Sequence, residues 1–415
     1  MAREELFDIA RDIISHGKAG TMAHADDIMK LPASVYYDED LYNLEMERII
    51  RRVPLILGPS CELAEPGDFK TMRVLDVEVL LTRAKDGTAH AFTNSCTHRG
   101  AKIMREECGK QSRFTCPYHG WTYSNDGRLL AITAPEDFGD IDKSEHGLVE
   151  LPLYESAGMI WVILTPGSTL DMKAFLAGYD DMLDAFGFKN WKYVSKRTFK
   201  GPNWKLAYDG YLEYYHIPVL HGPTFGTDST NQGMYYAWGP HQHIKSPDQT
   251  KGHAATEVLG YLADLSDKPE EDWDMETLTY GVWTVFPTTS IASFAGGGRG
   301  VMVSQILPGE TVDESITTQF YIMEEMPEDI DAANAQFDFF QEVVMREDYA
   351  AGYSAQQSLK RSGLEHLMLG RNELGNQRFH TWAKMVVEAE SDEDLAALFD
   401  NAERGVGIPN KMAAE

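Results

Sequence analysis

Basic residues, cysteines and long apolar runs are all scarce in this sequence, and each shortage removes a class of protein. The 37 Lys and Arg are outnumbered by 65 Asp and Glu, giving a net charge of −28. Phosphate backbones are bound by basic surfaces, so a nucleic-acid partner is not expected. Four cysteines in 415 residues are too few for a disulfide scaffold of the secreted kind. No apolar run approaches the ~20 residues of a membrane span, and Glu4, Glu5, Asp8 and Asp12 stand where a signal peptide would be basic and then apolar. A soluble, cytoplasmic chain with no membrane association is expected. No Gly-rich fingerprint sits at a strand–helix junction, so a nicotinamide or flavin belongs on a partner.

What is present is an ordinary globular balance, 43% apolar and 25% charged, over a length that serves two or three domains. Residues 4–15 read as an amphipathic helix. Between about 50 and 165 short strands dominate, at 73–82, 89–94, 115–123, 129–133 and 159–164, with Asp126-Gly127 as a hairpin signal. After Thr165-Pro166-Gly167-Ser168 the types mix. A helix starts near Asn203, strands fill 278–324 with a turn at Gly296-Gly297-Gly298, and a long helix covers 327–358. The expected class is α+β: a helical segment 1–40, an all-β domain 41–165 and a mixed domain 166–415 with an antiparallel sheet.

Two cysteines fall inside histidine-bearing boxes, Cys96-Thr97-His98-Arg99-Gly100 and Cys116-Pro117-Tyr118-His119-Gly120-Trp121. Each loop offers one thiolate and one imidazole beside an expected strand. That supply suits a [2Fe–2S] cluster with Cys on one iron and His on the other. A Cys2His2 zinc site uses the same ligand types, and it is the plainer alternative. Cys61 and Cys108 lie outside the boxes and read as buried small residues.

A second constellation follows at 203–221. Read as one helix at ~100° per residue, Asp209, Glu213 and His216 share a face. Pro218 distorts or ends that helix, letting His221 swing towards His216. Two histidines and one carboxylate make the facial triad of non-haem iron oxygenases. The carboxylate on offer is Asp348, in the middle of an apolar helical stripe of Phe337, Phe340, Val344, Ala351 and Ala355, with Glu342 and Arg346 pointing away. A buried Arg partner would equally explain Asp348, and His221 alone would read as a loop histidine. His241 and His243 read as a surface or pocket pair.

On these residues the sequence resembles the large (alpha) subunit of Rieske non-haem iron oxygenases, the ring-hydroxylating dioxygenases and related demethylases. The two boxes match the family's cluster pattern. Asn203-Trp204-Lys205, Tyr215-His216 and His221 match its iron motif, and Glu347-Asp348 with Gln357 its C-terminal motif. The resemblance runs from about 40 to 400. It implies an N-terminal Rieske domain and a helix-grip-like catalytic domain. It also implies one [2Fe–2S] cluster on Cys96, His98, Cys116 and His119, and one Fe(II) on His216, His221 and Asp348. The family's assemblies are typically trimers, some with a small beta subunit. Two departures stand out. Glu213 occupies a place often held by Asp, and Asp209 adds a charge where many relatives have Asn. The family's junction carboxylate, which links the cluster of one subunit to the iron of the next, corresponds to Glu213.

The resemblance further implies a separate reductase or ferredoxin, O2 as co-substrate, and hydroxylation of a small molecule. An aromatic or otherwise hydrophobic substrate is expected from the aromatic stretch Trp283, Phe286 and Phe294. Demethylation of methoxylated or quaternary-ammonium compounds is the alternative, and an electron carrier without catalysis is the rival from another class. The reduced protein is expected to give the low-average-g EPR signal of a Cys/His [2Fe–2S] centre, and Cys116→Ser to abolish it. Stoichiometric zinc without labile sulfide would overturn the cluster.

Overall fold

The computed structural model describes residues 2–227, 231–246, 268–295, 299–402 and 404–405; the turn expected at Gly296-Gly297-Gly298 lies outside them. Two compact units emerge, one of Ile50–Leu170 and one of Met1–Ile49 with Asp171–Glu415. The expected boundaries therefore move, and the first 40 residues do not stand apart. The helix Ala2–Ala19 buries Leu6, Phe7, Ile9, Ala10 and Ile13. Its Asp12 accepts a hydrogen bond from Tyr236 at 2.9 Å, and its Glu5 one from Trp238 at 3.1 Å. An apolar stripe of this width cannot stay exposed; the helices Tyr179–Asp184 and Met275–Thr279 cover it, with Phe7 against Trp273.

The smaller unit is all-β. Five strands in the order Glu150–Leu151, Ala89–Thr93, Val77–Arg83, Asp68–Val74 and Cys108–Lys110 form one antiparallel sheet. The strand expected at 73–82 is two strands. Leu75, with φ 54°, and Asp76 make the turn between them, and the apolar Leu75 conceals it in the sequence. A second sheet joins Leu153–Ser156, Met159–Val162 and Leu55–Pro59. Arg83 ties the two together, with both terminal nitrogens on Glu155 at 2.6 and 2.7 Å and Nε on the Leu63 carbonyl at 2.7 Å. A third, small sheet holds Arg113–Thr115, Thr122–Ser124 and Leu129–Ala131, and includes the expected Asp126-Gly127 hairpin. Phe69, Leu80, Phe92, Phe114, Trp121 and Tyr123 pack around Cys96 and Cys116. Cys61 is half-buried and Cys108 exposed, because Cys108 sits on a short edge strand instead of in the core.

The larger unit is built on an eight-stranded antiparallel sheet. Its order is Lys192–Gly201, Ser315–Met323, Arg299–Pro308, Thr289–Ala295, Val282–Val285, His241–Lys245, Met234–Trp238 and Arg404–Gly405. Side chains alternate between its two faces. One face lies against the helix Tyr179–Asp184: Tyr179 stacks on His241 at 5.1 Å and tilts against Trp283 at 5.7 Å. Both histidines are fully buried there, so the pair is core and not surface or pocket. His243 stacks on Trp283 at 3.8 Å. Phe286 N–H donates to His241 Nδ1, so Nε2 carries the proton that meets the Phe175 carbonyl at 3.0 Å. The aromatic stretch, read as about half sheet core and half pocket lining, is core at Trp283 and Phe286. Trp283 donates to the Thr279 carbonyl, and Phe286 packs on Phe379.

The other face is covered by the chain from Trp204 to Phe225, by Leu374–Glu388 and by the long C-terminal helix. That helix is expected as one regular stretch. It runs instead as Ile330–Val343, a wide π turn Val344–Asp348, and Tyr349–Ser362. A π turn inserts one residue and rotates everything after it. Ala351 is therefore exposed, while Tyr349 is buried. Among the described residues no helix is long and apolar enough to cross a membrane.

One buried cation tests the packing of the His241–Lys245 strand. Lys245 Nζ donates to the carbonyls of Thr277 and Leu278, and burial pulls its pKa down to about 7. The unfolded chain then binds more protons than the folded one between pH 7 and the ordinary lysine value, so the penalty is full below pH 7 and fades as pH rises. Lys245→Met should gain melting temperature relative to the native chain most at pH 6, with the difference falling steadily to pH 10. A pH-independent difference would overturn this.

Candidate metal centres

The two boxes of the smaller unit adopt the same backbone form. Gly100 N–H reaches the Cys96 carbonyl at 2.8 Å and Gly120 N–H the Cys116 carbonyl at 3.0 Å; Cys96 N–H and Cys116 N–H bond to Ala101 and Trp121 carbonyls. Gly100 and Gly120 sit at φ 75° and 74°, a left-handed conformation that glycine adopts without cost. A Cβ on Gly120 would lie 2.4 Å from Thr133 Oγ1. The loops bring the His98 and His119 rings to 4.6 Å between centroids, with His98 stacked on Trp121 at 4.9 Å. Cys96 and Cys116 are buried, and His98 Nδ1 is buried with no hydrogen-bond partner. An orphaned ring nitrogen beside two buried thiols fits a metal cluster. Tyr123, unflagged in the sequence, bonds Cys96 Sγ at 3.2 Å and Thr97 Oγ1 at 2.9 Å.

In the larger unit His216, His221 and Asp348 each offer one ligand atom, all within 4.8 Å of one another. His216 Nε2 lies 3.5 Å and His221 Nε2 3.2 Å from the same Asp348 oxygen, Oδ1. Both Nδ1 atoms are occupied from behind: Glu213 holds that of His216, and Glu347 that of His221 at 2.6 Å. Thr224 Oγ1 donates to the other Glu347 oxygen at 2.5 Å. Burial disfavours a charged His221, yet Asp348 and Glu347 outweigh it and raise its pKa. Partial burial likewise would lift the Glu347 carboxyl, but bonds from Thr224 and His221 hold it below its ordinary value. Three carboxylates around two imidazoles are short of positive charge, which a divalent cation supplies.

The route by which the chain builds this cluster differs from the expected single helix. Asn203 caps Trp204–Asp209 by accepting from Lys205 and Leu206 N–H, and the helix ends at Gly210. Two turns follow, and Glu213 is not helical. Its carboxylate reaches His216 because it also accepts the His216 backbone N–H at 3.1 Å. Pro218 opens the short helix Ile217–Leu220 instead of breaking a longer one, and His221 ends it. Asp209 leaves the shared face: it accepts from Tyr36 at 2.6 Å and meets His380 Nε2 at 3.0 Å. Lys205 forms a buried ion pair with Glu45. Tyr36, Glu45 and His380 carry no local signal, since each is far away in sequence. Glu347 was legible only as a neighbour of Asp348, because the π turn that aims both inward is invisible to a regular helical count.

Comparison with known proteins bears on both centres. Residues 54–151 match the Rieske [2Fe-2S] domain, and residues 188–389 the ring hydroxylating alpha subunit (catalytic domain). The glycine betaine monooxygenase oxygenase subunit of Pseudomonas aeruginosa is 33% identical over 49% of this chain and 47% of its own. The anthranilate 1,2-dioxygenase large subunit of Acinetobacter baylyi is 32% identical over 47% and 43%. The chain thus spans about half the length of these curated relatives. The carnitine monooxygenase oxygenase subunit of Escherichia coli is 26% identical over 82% and 87%. Among solved structures, a quaternary ammonium Rieske monooxygenase shares the fold at TM-score 0.71 and 22% identity, over 86% of this chain and 96% of that one. Naphthalene 1,2-dioxygenase from Rhodococcus sp. does so at 0.73 and 20%, over 94% and 98%. Fold and sites place the molecule in the class of Rieske non-haem iron proteins. Within that class, the chain carries both a Rieske domain and the catalytic domain of the ring hydroxylating alpha subunits. A [2Fe–2S] cluster and a mononuclear iron are the cofactors of this family.

The carboxylate behind His221 yields a direct test. Partners that fix a ligand imidazole typically change metal affinity 10–100-fold. Glu347→Gln should weaken iron binding by about that factor, measured by titrating Fe(II) into chelator-treated protein, while the cluster EPR signal stays unchanged. Native iron affinity in that variant would remove Glu347 from the support of the site.

Proposed function

We propose that the chain is the terminal oxygenase component of an electron-transfer system, and that it oxidises a small molecule bearing an N-methylated, cationic nitrogen. The observation that carries the substrate reading is charge. Glu213, Glu347, Asp348 and Glu373 gather around the two histidines, and among the described residues no Lys or Arg forms an ion pair with any of them. Such surroundings favour a cation and disfavour an anion. Relatives named for glycine betaine, carnitine and N,N-dimethyl phenylurea support the reading. Aromatic ring hydroxylation, with a place in aromatic catabolism, is the second reading, favoured by the anthranilate relative.

Cys96, His98, Cys116 and His119 would hold the cluster, and His216, His221 and Asp348 the iron. The cluster supplies electrons and the iron supplies O2 activation when bound. The chain's own residues set the stage. Glu213 and Glu347 accept the Nδ1 protons, which fixes each ring in the tautomer whose Nε2 is free to ligate. Asp348, whose Oδ1 faces both Nε2 atoms, would complete the two-histidine, one-carboxylate set that suits a non-haem iron. Glu213 is also the candidate for the junction carboxylate. Asp209 acts as a positioning group: Tyr36 and His380 grip its side chain, and Asn376 its carbonyl at 3.1 Å, which anchors the loop that carries Glu213. Electrons come from a separate reductase or ferredoxin, the assembly is a homotrimer, and the location is cytoplasmic, in keeping with four unbridged cysteines.

Iron analysis and product analysis test this together. About three irons per chain are expected, against about two for a bare carrier. With a reconstituted reductase, choline, tetramethylammonium and N,N-dimethylbenzylamine should be consumed with O2 uptake, while benzoate and naphthalene are spared. Turnover confined to the arenes would overturn the substrate reading, and two irons per chain the oxygenase reading.

A further inference from the structure

The sheet face that supports the iron cluster carries an unusual polar row. Strand register places Gln319 opposite Ser304, Ser304 opposite Ser290, Ser290 opposite Thr284, and Thr284 opposite Gln242. All five are at most 2% exposed. One flanking row is Met302 and Tyr321; the other is Ile306 and Thr317, whose hydroxyl is paired with that of Tyr349. Sheet faces under a helical layer are ordinarily apolar, because a buried hydroxyl or amide without a partner is costly.

At one end the row is tied down in part: Gln242 Nε2 donates to the Gly375 carbonyl at 3.1 Å, and Thr284 Oγ1 to the Gln242 carbonyl at 3.4 Å, while Gln242 Oε1 has no partner. At the other end it is not. Gln319 Nε2 spends one long bond of 3.4 Å on Ser304 Oγ. Gln319 Oε1 and Ser290 Oγ are buried with no hydrogen-bond partner, and the buried hydroxyl of Tyr211 has only loose ones in Ser304, Gln319 and Tyr349. Tyr211 belongs to the loop between Asp209 and Glu213. Its phenol lies near Ser304 and Gln319, and close enough to Asp348 for that charge to act on it. The unsatisfied end of the row therefore approaches the iron ligands themselves.

We propose that Ser290, Ser304, Gln319 and Tyr211 form a subsite that holds an uncharged hydroxyl or amide group of the substrate, at the end away from the reacting carbon. The proposal rests on the oxygenase reading above and adds to it a specificity element. The chemistry of the open atoms selects the ligand class. Gln319 Oε1 can only accept, so the ligand group must donate; the hydroxyls of Ser290, Ser304 and Tyr211 donate to its oxygen in return. A carboxylate donates nothing and would face Gln319 Oε1 and nearby Asp348, so it is disfavoured. A purely apolar group would leave the row unsatisfied. Discrimination of this kind is strong, because a site built to hydrogen-bond a substrate rejects the analogue that lacks the group.

Matched probe pairs on the holoenzyme test the subsite. One pair is (3-hydroxypropyl)trimethylammonium against propyltrimethylammonium; the other is benzyl alcohol against toluene. By calorimetry, the hydroxyl member of at least one pair should bind about tenfold tighter or more. In Ser290→Ala and in Gln319→Met that preference should collapse towards unity, while the affinity of the deoxy member and the cluster EPR signal hold. If only the benzyl alcohol pair shows the preference, the N-methyl reading fails and the subsite stands. Equal affinities within both pairs, a preference untouched by the substitutions, or no measurable binding of either hydroxyl probe would overturn the subsite and point to internal water as its occupant.

Discussion

The larger unit depends on one requirement, that two imidazoles present their Nε2 atoms to the same carboxylate oxygen. Neither ring achieves this by itself. A carboxylate must stand behind each Nδ1, and the two carboxylates arrive by different means. Glu213 is local and braced by the backbone amide of His216. Glu347 is distant and arrives on the same turn as Asp348. Consecutive residues thus serve one site, Asp348 facing both Nε2 atoms and Glu347 standing behind His221.

Around this requirement the chain accumulates negative charge, which a protein without metal bears at a cost. The surrounding framework shows how it is contained. Asp209 accepts hydrogen bonds from Tyr36 and His380, and Glu45 pairs with Lys205. The residual excess at Glu213, Glu347 and Asp348 is left for a cation. Stability and affinity are thereby coupled in the site: what destabilises the bare cluster is what attracts the iron.

Legibility in the sequence followed locality. The cluster loops were readable because ligands, glycines and flanking strands lie within six residues of one another. His216 and His221 were readable for the same reason. Asp348 could be picked out as a charge in an apolar stripe, although the stripe itself changes phase at the π turn and loses Ala351. Asp209 was misplaced because nothing local announces that the helix stops at Gly210 two residues before Leu212. Tyr36, His380 and the row from Gln242 to Gln319 depend on strand register and on helices brought from far away. No count of spacing reaches them.

The twin loops of the smaller unit carry a consequence for how the protein matures. Each loop closes on itself through main-chain bonds, Gly100 to Cys96 and Gly120 to Cys116, and none of those bonds involves a ligand atom. The backbone around the thiols is thus shaped by the same forces as any tight turn. The main chain that presents the thiols and imidazoles is therefore held by bonds of its own, and a cluster would bind to side chains on an already braced turn. Only the tip of the second loop is open to solvent, at Tyr118 beside His119, while both thiols lie buried behind it.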